Sequence, residues 1–175
     1  MISSRIYIQI LVAVISGIFL VVAAAIPFFL NHPTETIKKP NFAIPVGGDD
    51  FKDTGLKINN NDIVEISCDG RYRIGQGKEG GGEWEWAGPN GNSELAKTFG
   101  ERNNFNFKYD RAAVGEVIGK IGKGNKIFPV GEYYKQEAAE SGNLFLMIND
   151  AIFTDNVTDK DNDKNIYCDI TITRK

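Results

Sequence analysis

The sequence predicts an all-β domain, a small antiparallel jelly roll or β-sandwich, carried behind an apolar N-terminal transmembrane helix. Three observations lead there. Short segments alternate apolar and polar residues in period two. Gly, Asn and Pro separate those segments, and the chain holds 19 Gly. A single charge-free apolar run occupies residues 6–30, ahead of everything that alternates.

That run, "IYIQILVAVISGIFLVVAAAIPFFL", reaches roughly 37 Å as a helix at about 1.5 Å per residue, enough to cross a hydrocarbon core of about 30 Å with some tilt. A cleaved signal peptide is the alternative, with "AAA" at 23–25 as the cleavage region. The apolar run is longer than an ordinary signal core and continues through Pro27 to Leu30, which favours an uncleaved signal anchor over 1–30. Arg5 on one side and Lys38 and Lys39 on the other leave orientation undecided by charge. Residues 31–50, "NHPTETIKKPNFAIPVGGDD", carry three Pro and a Gly pair and read as a linker. The domain is then expected over 51–175, long enough for one core.

Within it, "DIVEISC" (62–68) places Val64, Ile66 and Cys68 on one face. "GEVIGKIG" (115–122) and "KIFPVG" (126–131) read as two strands around "GKGN". "KQEAAES" (135–141) is the one expected helical turn, and "NLFLMIND" (143–150) is apolar enough for a central strand covered on both sides. "NIYCDITIT" (165–173) sets Ile166, Cys168, Ile170 and Ile172 against Tyr167, Asp169, Thr171 and Thr173. Both cysteines lie on apolar faces. A disulfide in an oxidising compartment and a pair of buried free thiols are equally good readings.

Composition removes several functions. A net charge of −3 with scattered Lys and Arg offers no basic stripe for nucleic acid. The one histidine, His32, lies in the expected linker, so the domain holds neither a Ser-His-Asp nor a Cys-His triad, and a His/Cys zinc site is disfavoured. "GQGKEG" (75–80) matches a dinucleotide fingerprint in letters only, because no helix follows it. Carboxylates are abundant, but nothing singles out a glycosidase pair, so no enzyme is expected.

The conspicuous segment is 150–165, where Asp150, Asp155, Asp159, Asp161 and Asp163 crowd the exit of a strand. A solvated hairpin loop is one reading and a cation site the other. Calcium takes roughly six to eight oxygen ligands, and Asp150, Thr154, Asp155, Asn156, Asp161 and Asn162 supply such oxygens. "DKDNDKN" (159–165) fails as an EF-hand, since Lys164 replaces the required Gly and Ile170 the final Glu.

In order along the chain stand "TGLKINNNDIVEISCDG" from Thr54, "GPNG" (88–91), "AAVGEVIGKIG" (112–122), "PVG" (129–131), "GNLFLMIND" (142–150) and an Asp-Asn pair before the closing strand. This series resembles the bacterial LecA-like calcium-dependent galactose-binding lectins and spans nearly the whole domain. The resemblance implies a jelly-roll sandwich and a calcium ion whose open positions take two sugar hydroxyls. It gives Asp150 the strand-end carboxylate, Thr154 the loop Thr, and Ile74 the backbone carbonyl. Two registers compete for the Asn/Asp pair, Asp155-Asn156 and Asp161-Asn162. Asn92 follows "GPNG", where the family places polar sugar contacts; Trp84 and Trp86 alternate, so an exposed indole near the metal is a candidate to stack on a sugar ring, while core packing is the expected role of at least one of them. Lys164 and the long segment after "GPNG" depart from the family pattern, so galactose itself does not carry over. The expected whole is a lectin-like, calcium-dependent carbohydrate-binding domain, tethered to the membrane and facing the periplasm or cell exterior. The alternatives are a structural or adhesion module with a degenerate sugar site, binding a protein partner or only a stabilising ion, and, behind it, a carboxylate hydrolase.

Overall fold

In the computed structural model, residues 34–74, 85–92, 108–124, 126–150 and 165–174 are described. The helix expected over 1–30 lies outside them, and among the described residues no helix is long and apolar enough to cross a membrane. Among the described residues eleven strands follow one another: β1 (Thr36–Pro45), β2 (Lys52–Ile58), β3 (Ile63–Asp69), β4 (Tyr72–Ile74), β5 (Glu85–Ala87), β6 (Asn90–Asn92), β7 (Val114–Ile121), β8 (Ile127–Pro129), β9 (Tyr133–Glu137), β10 (Gly142–Ile148) and β11 (Asn165–Thr173).

Nine of them form two antiparallel sheets. One runs β1-β11-β3-β9, and the other β2-β10-β7-β6 with β8 also on β7. A short ladder joins β4 and β5. The alternation read in the sequence decides which faces meet. Val64, Ile66 and Cys68 from β3 and Ile166, Cys168, Ile170 and Ile172 from β11 share one buried cluster with Leu144, Leu146 and Ile148 from β10 and Val117 and Ile121 from β7. β10 sits between β2 and β7, as its nearly continuous apolar run requires. Its other face is covered as well, since Met147 is buried there opposite Ile118. Gly119 leaves room on the inner face for the Phe128 ring, whose nearest atom would stand 2.7 Å from an added Cβ.

Three expectations change. The segment expected as linker, 31–50, contains β1, and the compact unit starts at Glu35 rather than at 51. Phe42, Ile44 and Val46 alternate into the core. The prolines that suggested a linker are tolerated because β1 is an edge strand. Its register shifts between Lys39 and Phe42, around Pro40, and the Asp169 carboxylate accepts from the Asn41 N–H there at 2.8 Å. "KQEAAES" is not a helical turn. Its first half belongs to β9, where pairing with β3 overrides the helix propensity of Ala, Gln and Glu. The cysteine alternatives resolve as well: Cys68 and Cys168 face each other across β3 and β11 and form a disulfide, with Cα atoms 4.0 Å apart.

Thr54 shows how β2 is held to β10. The β2–β10 register shifts between Asn143 and Phe145, and the fully buried Thr54 hydroxyl donates to the Leu144 carbonyl at 2.8 Å, filling the gap in the ladder.

Candidate functional site

β10 is followed directly by Asn149 and Asp150, both buried. Asn149 works as a clamp. Its Oδ1 accepts from the Tyr109 N–H at 3.1 Å, and its Nδ2 donates to the carbonyls of Tyr109, Ala112 and Ala113 at 2.9, 3.2 and 3.2 Å. Its own backbone continues the ladder, with Gly115 N–H donating to the Asn149 carbonyl at 2.7 Å and Asn149 N–H to the Glu116 carbonyl at 2.8 Å. The segment 109–113 is thereby fixed against the end of β10.

Tyr72 of β4 closes the other side. Its ring is fully buried, and its hydroxyl donates to the Gly115 carbonyl at 2.8 Å. Gly115 has φ +81°, and an added Cβ would collide with the Tyr72 hydroxyl and the Ile74 side chain. Burial raises the Tyr72 hydroxyl well above its ordinary pKa, and the charge of Asp150 raises it further. Asp150 therefore lies within electrostatic reach of Tyr72 in a poorly screened interior. The Glu116 carboxyl is also raised, by burial first, against the opposing hydrogen bond from the Ala113 N–H at 2.8 Å.

Of the residues expected to hold calcium, Asp150 follows Asn149, whose carbonyl accepts from the Gly115 N–H, and Ile74 brings its side chain up to Gly115 from β4. Thr154, Asp155, Asn156, Asp161 and Asn162 lie outside the described residues. Among the described residues no three His, Cys, Asp or Glu side chains form a metal cluster. The two donors that are described, a carboxylate and a backbone carbonyl, are hard oxygens of the kind calcium takes.

Of the expected sugar contacts, Asn92 on β6 stands opposite Val114, next to Gly115, at the same end. Trp84 lies outside the described residues. Trp86 stands opposite Arg73 on the β4–β5 ladder and is 38% exposed. Its ring is not bare: the guanidinium carbons of Arg71 and Arg73 lie 4.6 and 4.7 Å from its centroid.

Sequence reasoning missed Asn149, Tyr72 and the two arginines. The "RYRI" alternation at 71–74 was the available signal, with Tyr72 and Ile74 inward and Arg71 and Arg73 outward. Asn149 gave none, because a clamp on 109–113 depends on partners 36 to 40 residues away.

No protein-family model matches this sequence, and no curated protein matches it. Among solved structures, the N-terminal domain of EclA, a PllA-like lectin, is similar with a TM-score of 0.50 and 15% identity, covering 79% of this chain and 98% of that one. At that identity the likeness is one of fold: a lectin-like β-sandwich.

Proposed function

We propose that the domain is a calcium-dependent carbohydrate-binding module of jelly-roll type, without catalysis, tethered to a membrane by residues 1–30 and facing the periplasm or cell exterior. The observation that supports the reading is a buried carboxylate, Asp150, just past the end of β10 in a fold similar to that of a PllA-like lectin. Asp150 and the Ile74 carbonyl would hold the ion together with Thr154 and one of the pairs Asp155-Asn156 or Asp161-Asn162. The ion would supply open coordination positions for sugar hydroxyls. The chain's part is to keep those oxygens in place: Asn149 fixes 109–113 beside Asp150, and Tyr72 braces β4 against Gly115. The Cys68–Cys168 disulfide supports an oxidising, outward-facing location.

Calcium melting curves of the full chain test the metal half of the proposal. Calcium at a hundredfold excess over Kd adds about 2.7 kcal/mol of stability, and Asp150→Asn removes the gain. A wild-type melting temperature indifferent to both calcium and EDTA refutes it.

A further inference from the structure

β1 and β2 are the outermost strands of their sheets, and among the described residues each pairs on one side only, β1 with β11 and β2 with β10. Both carry a lysine where the register calls for an apolar residue. Lys39 stands opposite Ile170 and Lys52 opposite Leu146, and both partners are buried in the core cluster. Directly opposite residues share a sheet face, so both lysines occupy inward positions. Their ammonium groups turn across the gap between the sheets. Lys39 Nζ donates to the Thr54 carbonyl of β2 at 2.5 Å, and Lys52 Nζ donates the other way to the Ala43 carbonyl of β1 at 2.8 Å. Both also lie over the Phe42 ring, 5.5 and 5.3 Å from its centroid. A reciprocal pair of straps thus closes this side of the sandwich.

An unpaired strand edge is a template for a further strand, and an inward-pointing charge is one way to blunt it. Lys39 is half-buried and Lys52 exposed, so both charges keep contact with water as the edges stand. A strand added to either edge would cover that position and desolvate the ammonium, and among the described residues neither lysine has a carboxylate partner to compensate. A second copy of the chain presents the same edge, and two like edges meet antiparallel across a two-fold axis. We propose that Lys39 and Lys52 are a lock that keeps the β1 and β2 edges from pairing with those of a second copy. The lock is independent of the carbohydrate-binding reading.

Sedimentation of the full chain in detergent micelles tests it, with the wild type as reference for any association through residues 1–30. Lys39→Met with Lys52→Met keeps the side-chain length and removes both charges. This variant should self-associate at least about tenfold more tightly than wild type, because tenfold is only about 1.4 kcal/mol and burying an unpaired ammonium costs more. Lys38→Met with Lys57→Met removes the same charge from two exposed residues, opposite Thr171 and Asn143, and should leave association unchanged. Lys39→Arg with Lys52→Arg should also behave as wild type. Amide hydrogen exchange of the associated variant should show new protection on β2 at least, since β2 has no proline to guard it. Each single methionine variant keeps one strap and should shift association part of the way, so the singles carry the test if the double variant does not fold. Association equal to wild type in the methionine variants overturns the lock. So does an equal rise in the Lys38/Lys57 control, or new protection confined to strands other than β1 and β2.

Discussion

Reducing the Cys68–Cys168 disulfide isolates its effect on stability. The bond joins residues 100 apart in sequence that are already direct partners in the β3–β11 ladder. Seven residue pairs hold these strands in register, from Tyr167↔Asp69 to Thr173↔Ile63, so the bond adds little to native geometry. Its main action is on the unfolded chain, where closing a loop of this length removes conformational entropy equivalent to about 4.7 kcal/mol. For a domain of this size that corresponds to a fall of roughly 15–20 °C in melting temperature. Urea titrations of oxidised and reduced protein provide the assay. The reduced form should lose about 4–5 kcal/mol, and its m-value should rise, because an unfolded chain freed of the crosslink exposes more surface. A large loss with an unchanged m-value contradicts the entropic mechanism. Equal stability of the two forms contradicts the reasoning altogether.

Other perturbations read the core and its edges. Thr54→Val removes the hydroxyl that donates to the Leu144 carbonyl and should cost about 1–3 kcal/mol in chemical denaturation. Arg174 reaches the buried Asp62 at 2.8 Å, and Arg174→Leu should cost about 2–3 kcal/mol, below the usual range for a buried pair because Arg174 is 22% exposed; adding Asp62→Asn should recover much of the loss. The raised Glu116 carboxyl is favoured neutral in the fold, so its stabilising contribution is complete below its unfolded pKa and is lost as pH rises through the higher folded value. Thermal melts should therefore find Glu116→Gln more stable than wild type at pH 7, with the advantage shrinking toward pH 4.

The legible parts of the fold were those with a strong local period. β3, β10 and β11 were visible because burial on one face, or on both for β10, leaves a direct trace in residue type. β1 was hidden by Pro40 and Pro45, which an edge strand tolerates and a central one does not. β9 was hidden because an exposed edge strand of polar residues has no apolar period to show, and "KQEAA" favours a helix when taken alone. β5 and β6 are three residues each, too short for periodicity to register, and β4 left only the brief "RYRI" alternation. At the site, Asp150 was legible as a carboxylate at the exit of an apolar strand. The arginine coverage of Trp86 was not, because it depends on the β4–β5 pairing across a glycine-rich segment whose length sets no register.

Glycan binding by the full chain, measured in calcium and again in EDTA for wild type and Asp150→Asn, tests the central claim most directly. The proposed function predicts retention of at least one glycan class by the wild type in calcium, loss of that retention in EDTA, and no retention by Asp150→Asn in either condition, with both proteins folded by circular dichroism. Glycan binding that survives EDTA and the Asp150→Asn substitution, or a folded wild type that retains no glycan in calcium, would contradict it.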